Sequence, residues 1–230
     1  NKVKRIVYCS SMARYGHHDN VPYKEDYECR PQDPYGIAKK AGEDVLINLC
    51  ETHGVEYVIA VPHNIVGPRQ KYDDPFRNVM SIMLNRMLQG KQPIVYGDGK
   101  QQRCFSYIDD CLYCLNALAF QDNVVGEVIN IGPDEEPVTI NELAEACANE
   151  TGLNLDPIHH EDRPKEVKLA TCSSDKARKL LDYQTSTNMR QAVKKTAEYI
   201  RTRGTKKFQY HLPLEIINEH TPDTWKKKLI

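Results

Sequence analysis

The sequence predicts an α/β protein, a parallel sheet with a crossover helix together with a smaller α/β lobe interleaved with the end of that sheet. Three observations predict it. Two short apolar runs, residues 6–9 and 55–61, read as buried parallel strands. The one long helical pattern between them makes a strand, loop, helix, strand order, which requires a crossover connection. Beyond Pro62 the texture changes to short strands and helices separated by many loops.

The first strand ends at Ser10 and Ser11. A charged loop punctuated by Pro22, Pro31 and Pro34 follows and leads into the helix. Asp33 is a good N-cap, and Pro34 suits the first helical position because its missing N–H would be unpaired there anyway. Ile37, Ala41, Val45 and Leu49 recur every four residues, which gives the helix an apolar face, and Gly54 is placed to end it. Further strands are predicted at 93–96 and 127–131, and helices near 76–89, 109–120, 139–151, 173–182 and 188–203. Thr139-Ile140-Asn141-Glu142 is a capping-box sequence. The predicted organisation is residues 1–62 as the end of a sheet with its helix, 63–205 as mainly the smaller lobe interleaved with the last sheet strands, and 206–230 as a surface-draped tail whose lysine run is solvated.

Composition narrows the function. Lysine plus arginine (31) nearly cancels aspartate plus glutamate (32), so the formal net charge is -1 and neither nucleic acid nor an anionic membrane is an expected partner. No apolar run approaches the roughly 20 residues that span a bilayer, and no signal peptide is recognisable, so a cytoplasmic protein is expected. Of the eight cysteines, only Cys111 and Cys114 have a CxxC spacing, and no second pair completes a metal site. They read as core thiols on one helix, and no metal is expected.

Tyr35 and Lys39 stand four apart and therefore on one helix face. An ammonium beside a phenol favours the phenolate, lowering a pKa of about 10 by roughly 1–3 units, toward the range where a general base works at neutral pH. Polar residues at a strand's carboxyl end, here Ser10 and Ser11, line the crevice of such sheets.

Six segments in order carry a resemblance. They are Cys9-Ser10-Ser11-Met12-Ala13-Arg14-Tyr15-Gly16, Pro34-Tyr35-Gly36-Ile37-Ala38-Lys39, Asn64-Ile65-Val66-Gly67-Pro68-Arg69, residues 96–110 beginning Tyr96-Gly97-Asp98-Gly99, Asn130-Ile131-Gly132, and Asp162-Arg163-Pro164-Lys165-Glu166. Together they resemble the extended short-chain dehydrogenase/reductase family, and within it the NAD-dependent nucleotide-sugar 4-epimerases; the resemblance implies the carboxyl-terminal part of a Rossmann-like, doubly wound parallel sheet with a smaller α/β substrate-binding lobe. Cys104 departs from the pattern, standing where the family usually has an aspartate.

The resemblance implies roles residue by residue. Tyr35 is the general base. Lys39 holds the nicotinamide ribose and tunes Tyr35, and Ser11 hydrogen-bonds the reacting sugar hydroxyl. Tyr35, Lys39 and Ser10 would lie against NAD. Asn64, Asn78 and Val79 would contact the substrate, Val95 and Tyr96 would flank the uracil or thymine ring, and Arg103 and Arg163 would clamp the diphosphate, a task that suits a guanidinium fork. Ala170, seven places after Arg163, would stand beside carbon 2 of the hexose and leave room for an N-acetyl group. A UDP sugar is the implied substrate and a homodimer the implied assembly.

Dehydratases of the family carry an Asp-Glu pair after the serine or threonine; here Met12 and Ala13 stand there, and neither moves protons. Epimerisation at carbon 4 is therefore favoured, with a decarboxylase or dehydratase of the same family, or a non-catalytic nucleotide-sugar-binding module, as alternatives. No GxGxxG loop occurs. The family's cofactor-anchoring half would precede Ile6 by about 100 residues or more, so the sequence reads as lacking that half, and alone it is expected to be inactive.

Overall fold

The structure is a computed structural model that describes residues 2–163, 167–211, 213–214, 217–219 and 221–230. Its strands are β1 (Arg5–Cys9), β2 (Glu56–Pro62), β3 (Ile65–Val66), β4 (Ile94–Tyr96), β5 (Gln102–Arg103), β6 (Ser106–Tyr107), β7 (Val128–Ile131), β8 (Val138–Thr139), β9 (Ile158–His160) and β10 (Leu169–Ala170). Its helices are α1 (Pro34–His53), α2 (Val79–Met87), α3 (Ile108–Phe120), α4 (Ile140–Thr151), α5 (Asp175–Leu181), α6 (Met189–Arg203) and α7 (Asp223–Lys226). The fold is α/β and divides into two compact units, Asn1–Ile65 with Cys104–Pro137 and Leu169–Asn188, and Val66–Arg103 with Val138–Lys168 and Met189–Ile230.

In the first unit β2 is the central strand, parallel to β1 on one side and to β7 on the other. Because side chains alternate along a strand, Val58 and Ala60 face one core with Cys111, Cys114 and Leu118 of α3 and Leu181 of α5. Ile59 and Val61 face a second core with Tyr15, Tyr23 and Cys172, against which Ile47 of α1 packs. Burying each such aliphatic side chain contributes about 1.5–3 kcal/mol. The CxxC thiols are both enclosed, and burial pushes each up to about 12, which suits core packing rather than thiolate chemistry.

Two expectations are corrected here. β1 is parallel as predicted but not buried: Ile6 and Cys9 are exposed, because β1 is the edge of its sheet and pairs on one side only. The four-residue apolar stripe of α1 also faces outward, with Ile37 54%, Val45 59% and Leu49 50% exposed. The helix instead presents Gly36, Glu43 and Cys50 to the interior, a face with a buried acid in it. Both ends of α1 form as the sequence predicts. The Asp33 carboxylate accepts from the Gly36 amide at 2.6 Å, worth about 1 kcal/mol for such a cap, and Gly54 closes the helix at φ 63°.

The second unit is built on α2, α4 and α6, which pack against one another. Met189, Ala192, Val193, Thr196, Ala197 and Ile200 of α6 recur at the three-and-four spacing that puts them on one buried face. The capping box at Thr139 and Glu142 forms in both directions. β4 pairs in parallel with β9, and β5 pairs antiparallel with β8.

The tail is a further correction, for it is knitted into this unit rather than draped over it. Asn85 is fully buried on α2, and its amide donates to the Lys206 carbonyl at 2.8 Å while its oxygen accepts from the Lys206 amide at 3.0 Å. Arg86 donates to the Leu229 carbonyl at 3.1 Å. Buried polar groups on α2 need partners, and the tail's backbone supplies them. Thr224 in α7 is wholly buried, whereas Lys227 and Lys228 remain exposed.

No helix among the described residues is long and apolar enough to cross a membrane.

Candidate active site

The first unit gathers Tyr35, Lys39, Ser10 and Ser11 at the carboxyl end of β1. Lys39 lies one turn beyond Tyr35 on α1, and its ammonium donates to the Cys9 carbonyl at 2.9 Å. This contact holds the nitrogen 5.7 Å from the Tyr35 ring centroid and 5.5 Å from that of Tyr8. Tyr35 itself is 56% exposed, so its hydroxyl is open to a ligand. Ser11 is the N-cap of a 3₁₀ turn, Met12–Arg14, where its Oγ accepts from the Ala13 amide at 3.2 Å. Gly36 lets α1 approach this turn, since a Cβ there would lie 2.6 Å from the Ala13 carbonyl oxygen.

Beneath these residues lies a polar network that sequence reasoning missed. Glu43 is 1% exposed and forms an ion pair with Arg14 at 2.9 Å, and the Ser10 hydroxyl donates to the same carboxylate. Ser10, expected against the cofactor, is thus buried with its hydroxyl on Glu43. Glu43 follows Lys39 by four residues and Tyr35 by eight, so the three share one face of α1. That spacing was the available signal.

The Asn130-Ile131-Gly132 segment proves to be structural. Asn130 is fully buried in β7; its oxygen accepts from the Tyr15 hydroxyl at 2.8 Å, and its amide donates to the Tyr23 carbonyl at 3.1 Å. The Glu25 carboxylate in turn accepts from the Asn130 backbone N–H at 2.9 Å. These bonds pin the loop after Ser11 to the sheet. Gly132 has φ 137°, and a Cβ there would sit 2.5 Å from the imidazole of His63. His63 is 1% exposed and its Nε2 is 2.9 Å from the Pro133 carbonyl; burial lowers its pKa below the ordinary histidine range.

The first unit also holds Asn64 and Ala170. Asn64 is in the left-handed region at φ 42°, and its side-chain amide donates to the Cys104 carbonyl at 2.9 Å. Cys104, at the usual aspartate position, is fully buried and its sulfur accepts from the Thr171 hydroxyl at 3.4 Å. Ala170 is 8% exposed in β10.

The second unit brings Tyr96 and Arg163 together. The Arg163 guanidinium lies 4.1 Å over the Tyr96 ring, a cation–π contact. Val95, one residue earlier in β4, is wholly enclosed, so its side chain is not at a surface. Arg103 lies in β5, where its guanidinium donates to the Gln102 carbonyl at 2.7 Å. Asn78 precedes α2 at φ 67° without capping it by its side chain, and Val79 begins the helix. Pro164, Lys165 and Glu166 lie outside the described residues. A cleft of about 420 Å³ is lined by Tyr96, Arg163 and Thr221 among others. No group of three or more metal-ligating side chains occurs among the described residues.

Comparison with known proteins gives this arrangement its context. A putative UDP-glucose 4-epimerase of Methanocaldococcus jannaschii is 31% identical over 203 residues, covering 86% of this chain and 64% of its own. A UDP-N-acetyl-alpha-D-glucosaminuronate decarboxylase of Bacillus cytotoxicus is 34% identical over 148 residues, 62% of this chain and 44% of its own. The crystal structure of a UDP-glucose 4-epimerase from Thermotoga maritima with UDP-glucose superposes with a TM-score of 0.79 at 30% identity, covering 87% of this chain and 64% of that one. The chain therefore spans about 64% of the length of these epimerases. Residues 1–132 match the family described as NAD dependent epimerase/dehydratase, and the chain belongs to that family.

Proposed function

We propose that this chain carries the general base and the nucleotide contacts of an NAD-dependent UDP-sugar 4-epimerase. The observation that supports this most is the Tyr35–Lys39 pair at the carboxyl end of β1, with Met12 and Ala13 in place of proton-moving carboxylates. The Tyr35 phenolate takes the proton from the sugar's 4-hydroxyl, becoming a phenol, and later returns it. Lys39 stabilises the phenolate that is present before the first transfer and again after the second, and Ser11 orients the hydroxyl that reacts.

An ammonium has three hydrogens, and only one is needed for the Cys9 carbonyl, so Lys39 fits the ribose hydroxyls of a dinucleotide. NAD, when bound there, would supply a reversible hydride acceptor for carbon 4. Arg163, stacked on Tyr96, and Arg103 hold the diphosphate. Asn78 and Val79 open α2, whose first amides carry partial positive charge and suit an anion. Small, buried Ala170 leaves room for an N-acetyl group, which points to UDP-N-acetylglucosamine and UDP-N-acetylgalactosamine. The outward apolar stripe of α1 is the surface through which a homodimer forms.

Decarboxylation is the second reading, favoured by the similarity to the Bacillus cytotoxicus protein, and it begins with the same oxidation. Product analysis of the longest natural form separates the two. Interconversion of sugar epimers at constant mass supports epimerisation. Loss of carbon dioxide from a uronic acid, or of water, overturns it.

A further inference from the structure

Two residues of α1 hold the end of β1. The Lys39 ammonium donates to the Cys9 carbonyl at 2.9 Å, and one turn further along the helix Glu43 reaches residues on both sides of Ser11. One oxygen of its carboxylate, Oε1, accepts from the Ser10 hydroxyl, and the other, Oε2, lies 2.9 Å from the Arg14 guanidinium. Ser11 is bonded within the segment so bridged. Its Oγ accepts from the Ala13 amide at 3.2 Å, and its carbonyl accepts from the Arg14 amide at 3.0 Å. The Ser10 amide also donates to the Ala60 carbonyl of β2 at 2.8 Å, which ties the segment to the sheet. α1 meets the same segment again at Gly36, beside Tyr35, where a Cβ would lie 2.6 Å from the Ala13 carbonyl oxygen. Gly36 and Glu43 are seven residues apart, nearly two turns, so both contacts come from one helix face.

Stability alone does not account for this arrangement. Ser10, Arg14 and Glu43 are 3%, 6% and 1% exposed. Burying two charges costs about as much as their attraction returns, and an apolar pair of similar volume serves a core equally well. A carboxylate with one partner on each oxygen does what an apolar contact does not, because hydrogen bonds fix direction as well as distance.

We infer that Glu43 is a positioning residue of the active site, which sets Ser11 against the helix bearing Tyr35 and Lys39 by holding Ser10 and Arg14. The inference rests on the UDP-sugar reading given above, in which Ser11 orients the hydroxyl whose proton Tyr35 takes. Enclosed as it is, Glu43 acts through Ser11 rather than on the sugar. Displacing such a group by about 1 Å is enough to cost on the order of 10²-fold in rate.

Two variants of the longest natural form separate positioning from stability. Arg14→Met with Glu43→Leu fills the space and removes the grip. It should melt close to the unaltered protein and yet lose kcat by about 10–100-fold, with KM for the UDP sugar nearly unchanged. Glu43→Gln keeps an oxygen for Arg14 and an amide for the Ser10 hydroxyl but removes the charge. It should melt lower and yet keep most of kcat when assayed below its melting temperature. Rate and melting temperature then rank the two variants in opposite orders. Rates that follow the melting temperatures, or a loss that falls on KM, overturn the positioning role. Full kcat in the double variant, beside an inactive Tyr35→Phe, overturns the role of Glu43 and leaves the UDP-sugar reading intact. An unaltered protein that does not interconvert UDP-sugar epimers overturns both.

Discussion

Removing the Glu43 carboxylate should cost more stability than any surface change. Glu43 is 1% exposed, its partner Arg14 has a side chain 7% exposed, and the two meet at 2.9 Å. Two other Arg14 donors, Nε and Nη1, are buried without a partner among the described residues, so Glu43 is the group that compensates this charge. Glu43→Ala leaves a buried cation unpaired, for which the expected loss is about 3–5 kcal/mol. At about 2–4 °C per kcal/mol for a chain of this size, the melting temperature should fall by roughly 6–20 °C. Because desolvation offsets most of the attraction in a buried pair, replacing both partners by apolar residues, Arg14→Met with Glu43→Leu, should recover stability to within about 1 kcal/mol of the starting protein. Urea unfolding followed by circular dichroism measures both variants. A loss below about 1 kcal/mol for Glu43→Ala, or a double variant as unstable as the single one, would refute the reasoning.

Other consequences follow from individual contacts. Gly36→Ala should destabilise by about 1–3 kcal/mol by overpacking against the Ala13 carbonyl, even though alanine favours a helix interior by about 1 kcal/mol; a stabilised variant would mean that α1 does not approach the 3₁₀ turn so closely. His63 is held neutral by burial, with its folded pKa lowered. The stability it contributes is therefore complete above its unfolded value of about 6.5 and is lost as pH falls below it, by up to about 1.4 kcal/mol per pH unit; in urea unfolding at a series of pH values His63→Asn should show a shallower decline, and an identical decline would contradict the assignment. Ala170→Tyr should selectively abolish turnover of N-acetyl sugars in the longest natural form, whereas an equal fall with plain sugars would remove Ala170 from the carbon-2 site.

The parts of the fold legible in the sequence are those written locally. Asp33, Pro34 and Gly54 mark both ends of α1, and Thr139 with Glu142 starts α4, because caps are made by residues a few positions apart. β2 was legible because a short apolar run, Val58 to Val61, bounded by Gly54 and Pro62, suits a strand buried on both faces. The stripe Ile37, Ala41, Val45 and Leu49 shows the limit of this reasoning. Periodicity says that one face is apolar, but not what covers it, and the interior face instead holds Glu43. The bonds that Asn130 makes to Tyr15 and Tyr23 were not legible for a different reason, since they join residues more than a hundred positions apart. Trp225 was hidden by the lysines that follow it, which are solvated while the indole packs inward. In the candidate site, the Tyr35–Lys39 pair was legible from its spacing together with the ordered motifs around it, whereas the spacing of Glu43 on the same face did not reveal its buried bonds to Arg14 and Ser10.

The central claim is that Tyr35 moves the proton of the sugar's 4-hydroxyl. The most direct measurement is steady-state turnover and UDP-sugar affinity of Tyr35→Phe in the longest natural form of the protein. Phenylalanine keeps the ring over which Lys39 sits and removes only the transferable proton. The account predicts a fall in kcat of about 10²–10⁴-fold, the contribution of a positioned general base, with substrate affinity nearly unchanged. A variant that retains a tenth or more of the original rate, or loses affinity in proportion to its rate, would contradict it.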